Sequence, residues 1–470
     1  MQLKVDIDRD RITGWFGPDG TVCLSEQALP AALIHEPTRR LLTELGLPRQ
    51  GGTLTGLDFL RFETDPEVLL RPLADQLDDS VLAPRQATFA PSRRPARTLA
   101  APAESPSTSS TRTSGRHAES THMGAPPGRR LGEPLLDGQR LPDAALGTDH
   151  LLMLGTVQRD RLVLDGRTGQ VALAGITYGK PAEVLLDVLA SDLSVVLLFL
   201  HELAALRSAA CDPAAQDGRR GPAVLAEVTG AVERRLRAVD PALFEPSGVA
   251  ALWSAALLVY GLCWGARPGA WAAELGGHAL AYEITSELMA ELGEVQPLHP
   301  DDLPAGLRHQ PTRQLLTSVG LPVTDRFSGD QQRPLATLGE RCPWYAEEPA
   351  DRAHQLDYFL LGATAYNCQV VLDGVSGRVE ITEGDGEEGW PAAQLACDLS
   401  AYYLAIWVLT RLREAVAQWS SVGWQVFDLD ELLAEAGLEL LARLDPSAVA
   451  REASLWNALA DDGHMGGLLG

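Results

Sequence analysis

Two stretches of the chain alternate apolar and polar positions in short bursts broken by Gly- and Asp-containing turns. They are residues 150–175, HLLMLGTVQRDRLVLDGRTGQVALAG, and residues 358–382, YFLLGATAYNCQVVLDGVSGRVEIT. A period of two with tight turns predicts three short antiparallel strands in each, a meander. Each stretch is followed by a run that is almost wholly apolar, LSVVLLFL from Leu193 and LSAYYLAIWVL from Leu399. Such a run predicts a helix of about twenty residues, starting near Pro181 or Pro391, whose apolar face covers the sheet. Upstream, Pro37 suits the first helical position, Leu41, Leu42 and Leu45 form a stripe, and Gly46 with Pro48 supplies the stop. Pro311, Gly320 and Pro322 repeat both signals. Helix, meander, long helix and further helix, in that order, predict an α+β fold with helices on one face of an antiparallel sheet.

The pattern occurs twice because the chain is duplicated. Residues 29–48 (LPAALIHEPTRRLLTELGLP) and 303–322 (LPAGLRHQPTRQLLTSVGLP) are identical at fourteen of twenty positions. LMLG at 152–155 pairs with FLLG at 359–362, LDGRTGQV at 164–171 with LDGVSGRV at 372–379, and LASDLS at 189–194 with LACDLS at 395–400. Asp240-Pro241 and Leu252-Trp253 pair with Asp445-Pro446 and Leu455-Trp456. An ordered series of matches predicts two domains, 1–270 and 275–470. From Pro48 to Gly155 is 107 residues but from Pro322 to Gly362 only 40, so copy one carries 67 more. The excess corresponds to 80–149, rich in Pro, Ser, Thr, Ala and Arg, and is expected to be disordered.

Charge refines this picture. Sixty-three acidic residues against thirty-nine basic ones give a net charge of −24, which repels phosphate backbones and anionic lipid and favours encounter with a basic partner. Between Pro91 and Arg130 seven Arg face two Glu, a local +5, so the rest of the chain carries −29. Ser247 to Ala266 runs twenty residues without a charge, long enough to span a bilayer. Its counterpart in copy two holds Arg451, Glu452 and Asn457, which points to a buried core helix rather than a membrane span. The charged N-terminus lacks an export signal, and a cytoplasmic location is expected. Cys23, Cys211, Cys263, Cys342, Cys368 and Cys397 form no CxxC pair, which suits reduced thiols and suggests no metal.

Catalytic signatures are fragmentary. His117-Ala118-Glu119 has the HxE form but no PCxxC follows. His201-Glu202 opens an HExxH pattern that fails at Ala205, and Gly261 to Gly265 (GLCWG) outlines a nucleophile elbow at the end of a helix instead of after a strand. His35 and His309, with Arg39 and Arg313, recur at a helix start and are expected to tie it to a neighbouring carboxylate. Asp165 and Asp373 are expected to set turn geometry, and Asp192 and Asp398, placed within the long helix, to make a buried structural hydrogen bond. No catalytic residue and no cofactor follow from the sequence. One loop stands apart: Glu383, Asp385, Glu387 and Glu388 beside Trp390 offer clustered carboxylates and an aromatic, a combination suited to a basic protein surface. Its counterpart in copy one, AGITYGKP, has no acid.

The PTRxLLxxxGLP helix, the (F/M)LLG strand, the LDGxxGxV hairpin and the Ala-x-Asp-Leu-Ser block together resemble the fourth subgroup of the SUKH superfamily, over about 10–264 and 285–463. The Ala-, Arg-, Leu- and Gly-rich composition is similar to that of actinobacterial proteins. The resemblance implies a non-enzymatic immunity protein that binds and blocks a toxin, often a nuclease or deaminase, and carries over no residue as a toxin contact. The alternative is a non-enzymatic adaptor with a duplicated protein-binding domain.

Overall fold

The computed structural model describes residues 4–49, 52–54, 57–63, 65, 68–76, 148–157, 160–176, 184–211, 221–244, 250–263, 279–323, 335–347, 350–363, 368–382, 392–419, 429–450 and 454–461. Nearly all of the insert predicted at 80–149 lies outside them.

Copy one opens with α1 (Arg9–Phe16) and a two-residue ribbon of β1 (Thr21–Val22) and β2 (Leu47–Pro48) that brackets α2 (Glu36–Arg40). The last turn of that helix widens into a π turn at Leu41–Leu45 and stops at Gly46, which has φ +86°. A six-stranded antiparallel sheet follows in sequential order: β3 (Gly52–Leu54), β4 (Leu57–Phe62), β5 (Leu151–Val157), β6 (Asp160–Asp165), β7 (Val171–Ile176) and β8 (Val184–Ala190). Three helices complete the copy, α3 (Leu193–Cys211), α4 (Pro222–Val239) and α5 (Ala250–Leu262).

Copy two repeats the plan. It runs α6 (Ser286–Leu292), β9 (Glu294–Gln296), α7 (Gln310–Ser318), β10 (Leu321–Val323) and α8 (Leu338–Arg341). A four-stranded meander follows, β11 (Phe359–Ala363), β12 (Gln369–Leu372), β13 (Val379–Ile381) and β14 (Ala393–Ala396). The helices α9 (Leu399–Trp419), α10 (Leu429–Leu444), α11 (Pro446–Val449) and α12 (Leu455–Asp461) close it. No strand is shared between the copies among the described residues. The fold is α+β, as the sequence predicts.

Two expectations need correction. The three strands expected in each meander are present, but each sheet gains a further strand from residues expected to be helical, and copy one adds β3 and β4. The long helices begin at Leu193 and Leu399, because the residues before them pair as β8 and β14 and the chain then turns at Asp192 and Asp398. Both aspartates stand at the helix start instead of within it. Their side chains accept the amides of Val195 (3.2 Å) and Ala401 (3.0 Å), the third residue of each helix, as an N-cap does.

The core sits between sheet and helices. Leu152, Leu162, Leu164, Val171 and Leu173 point inward from copy one's sheet onto Val195, Val196 and Phe199 of α3, all fully buried. Trp253 on α5 packs edge-on against Phe199 and donates its indole N–H to the Leu189 carbonyl at 2.8 Å. Trp456 on α12 does the same to Leu395 at 3.1 Å, so in each copy a tryptophan staples the last helix to the fourth strand. Helix α5 touches α3 and α4 on its own side and α9 and α10 of copy two on the other. The charge-free segment around it is thus a core helix shared by both copies, and no helix among the described residues is long and apolar enough to cross a membrane.

Candidate functional site

The residues shared by both copies converge on two constructions, one at the tip of the sheet and one beneath the long helix. At the tip, the loop before α2 lies on the LDG hairpin: Ile34 and His35 both donate backbone N–H groups to the Gly166 carbonyl at 2.9 Å, and Arg308 and His309 do so to Gly374 at 2.7 and 2.9 Å. Asp165 and Asp373 shape the turn, each accepting through Oδ1 the amide two residues on (Arg167 and Val375, both 2.8 Å). Glycine is required where the hairpin meets the histidine, since a Cβ on Gly169 or Gly377 would lie 2.3 or 2.2 Å from the ring Nδ1. The imidazoles are buried and bond a hydroxyl, His35 to Thr38 at 2.7 Å and His309 to Thr312 at 2.8 Å. Arg39 and Arg313 each donate to the carbonyl six residues back, Leu33 and Leu307, at 2.9 Å. The expected tie to a carboxylate is seen for Arg39, which also meets Glu26, while both histidines bond a threonine hydroxyl. Pro37 and Pro311 occupy the second helical position, one later than expected but still within the first turn, where no amide is missed, and Gly46 and Gly320 (φ +86° and +103°) end the helices.

Beneath the long helix, Asp192 and Asp398 accept more than their caps. Asp192 takes the Lys4 amide at 2.7 Å and the Ser194 hydroxyl, whose oxygen accepts the Val5 amide at 3.1 Å. Asp398 takes the Ala281 amide at 2.7 Å and the Ser400 hydroxyl at 2.6 Å, and that oxygen accepts Tyr282 N–H at 3.0 Å. Asp240 and Asp445, which the sequence showed as repeated but left without a role, fix the strand-to-helix turn by accepting the amides of Ser191 (3.2 Å) and Cys397. In copy one the Lys4 ammonium pairs with Asp240 at 2.7 Å; in copy two Asp445 instead takes the Ser447 hydroxyl at 2.6 Å and the amides of Ser447 and Ala448. These carboxylates bind backbone and hydroxyl donors, so their oxygens are committed to holding the fold.

The acidic loop Glu383, Asp385, Glu387, Glu388 and Trp390 lies outside the described residues. Its root is described: Thr382 is fully buried, hydrogen-bonds the Tyr345 hydroxyl at 2.8 Å and accepts the Gln369 amide at 2.9 Å. Among the described residues three large apolar side chains stand out in solvent, Ile34 (66% exposed), Trp344 (59%) and Val375 (65%). None was singled out by sequence, because an exposed apolar residue looks like a core residue until its neighbours are known. Ile34 lies on the tip of copy one and Val375 on the corresponding tip of copy two, on opposite sides of it. Where copy one has Ile34 opposite Arg167, copy two has Arg308 opposite Val375, all four exposed. One aliphatic and one arginine are displayed each time, with positions exchanged.

The catalytic fragments do not assemble. His117 to Glu119 lies outside the described residues. His201 stacks on Trp15 (4.8 Å between centroids, 16° between planes), with Arg11 5.5 Å from the Trp15 ring, and Glu202 pairs with Arg235 at 2.6 Å. Cys263 is fully buried at the end of α5, and Cys23, Cys263, Cys342, Cys368 and Cys397 carry free thiols. Among the described residues no cluster of His, Cys, Asp and Glu could hold a metal ion.

One α+β domain is thus used twice, with its repeated carboxylates engaged in capping and turn-fixing hydrogen bonds. The chain belongs to the SUKH-4 immunity protein family, whose model matches residues 7–258 and 283–462, one match per copy. No curated protein and no solved structure matches it.

Proposed function

We propose that this protein neutralises a cognate bacterial toxin in the cytoplasm by binding it one to one and covering its working surface, with no turnover of its own. The observation that carries the reading is the SUKH-4 match on both copies, joined to a net charge of −24. An acidic occluder suits a toxin with a basic surface, as a nuclease or nucleic-acid deaminase has, because opposite potentials speed encounter and set register. Glu383, Asp385, Glu387, Glu388 and Trp390 are the proposed contacts, an aromatic anchor rimmed by carboxylates. The engagement of Asp192, Asp398, Asp240 and Asp445 with amides and hydroxyls supports a non-catalytic role.

The test is co-expression with the product of the adjacent reading frame. Growth arrest by that product alone, relieved by this chain and not by a variant with all four loop acids changed to lysine, is the expected result. Arrest that persists when both are expressed would remove the proposal.

A further inference from the structure

We infer that the partner docks on copy two, on the face of its sheet turned away from α9, with Trp344 as the anchor. The inference rests on the immunity reading for the partner's identity and on geometry for the place. Strand alternation splits the second sheet: Phe359, Leu361, Val370 and Leu372 face the helices, while Leu360 and Val371 face out and are covered by Leu338, Cys342 and Tyr345. That cover is tightly built. A capping box closes the start of α8, with the Glu340 amide on Thr337 Oγ1 (3.3 Å) and the Thr337 amide on Glu340 Oε2 (2.8 Å). Backbone bonds Leu338 to Tyr358 (2.8 Å) and Leu360 to Ala336 (3.0 Å) lace it to the edge of β11.

On this fixed base the residue before the buried Tyr345 is Trp344, 59% exposed. A large ring held out into water on a rigid support costs free energy in the unbound protein and loses little entropy on binding, the combination found at interface anchors. Copy one has no counterpart among its described residues: its outward cluster is Leu73, Leu151, Met153, Val163, Ala172 and Ala174. The Tyr345 hydroxyl, bonded to Thr382 at 2.8 Å, places the root of the acidic loop beside the same platform.

Charge selects the occupant. Residues 338–358 hold five carboxylates (Glu340, Glu347, Glu348, Asp351, Asp357) against two arginines, and Glu340 and Asp357 are exposed. An exposed indole on so acidic a stretch suits a guanidinium or ammonium group and repels phosphate, so the partner is a protein presenting arginine or lysine.

The experiment measures binding of the full chain to the purified product of the adjacent reading frame. Trp344→Ala weakens the affinity by roughly thirtyfold, Val375→Ala, comparably exposed, leaves it within about twofold, and Asp357→Lys slows association at low salt. Unchanged urea midpoints show that the variants fold. If the native chain binds that product and Trp344→Ala binds as tightly, the platform is wrong and the immunity reading stands. If the native chain does not bind it, the immunity reading fails and the platform is judged with a nine-arginine peptide: weaker binding by Trp344→Ala than by Val375→Ala supports it, and equal binding overturns it.

Discussion

A carboxylate at the start of a buried apolar helix must be matched by a cation or by a fan of N–H and O–H donors, and Asp192 and Asp398 take the second course. Asp398→Ala removes an N-cap and orphans the Ala281 amide, which should cost about 3 kcal/mol, whereas Asp373→Ala, in a half-exposed turn, should cost about 1 kcal/mol or less; urea titration separates them. The histidines make the fold pH-sensitive. Burial, chiefly desolvation, holds the His35 pKa below its ordinary value, with the negative potential of Asp192 opposing, and burial likewise lowers His201. The unfolded chain therefore takes up protons before the folded one does, so stability is full above about pH 6.5 and falls as pH drops through the lowered folded values. His35 Nε2 has no hydrogen-bond partner among the described residues, so an added proton there would be buried unmatched. The urea midpoint should fall between pH 7.5 and pH 5.5, and less steeply in His35→Asn; parallel slopes would contradict this. At this scale sequence showed which residues recur but not their partners, because Thr38, Leu33 and Gly166 become neighbours of His35 and Arg39 only after the loop folds onto the hairpin.

Elements were legible where period and punctuation agree. The hairpin, its glycines and the α2 stop are all written locally, and β5 to β7 follow from alternation. The fourth strand was hidden because Val184–Ala190 is apolar at most positions and runs into an apolar helix, so no change of period marks the junction; the marker is the capping aspartate. The bulge was equally hidden. Register shifts between Met153 and Gly155 and between Leu360 and Gly362, and a Cβ on Gly155 would stand 1.9 Å from the Arg61 carbonyl oxygen of β4. Gly155→Val should therefore disrupt the β4–β5 pairing, read as faster amide exchange in β5, while Gly14→Ala, with nothing within 4 Å of its Cβ, should not. Trp253→Ala removes both a buried ring and the staple to Leu189, and should cost about 4 kcal/mol.

The two larger sheets are separate, one in each copy, and α5 packs against helices of both. Because α5 packs on α9 and α10 as well as on its own copy, the two copies share a continuous core and should unfold in a single calorimetric transition; two resolved transitions would show the copies to be independent. Duplication and the family were legible at this scale, since repeated blocks in a fixed order survive divergence. The exposed apolar side chains were not, because Trp344, Ile34 and Val375 differ from core residues only in their surroundings. The central claim, that this acidic scaffold acts by occupying a toxin and not by chemistry, is tested most directly by titrating it into the purified product of the adjacent reading frame while following that product's catalytic rate. The account predicts a linear fall to zero at one equivalent, weakened by salt. Loss of activity at a small fraction of an equivalent, or full activity in excess, would contradict it.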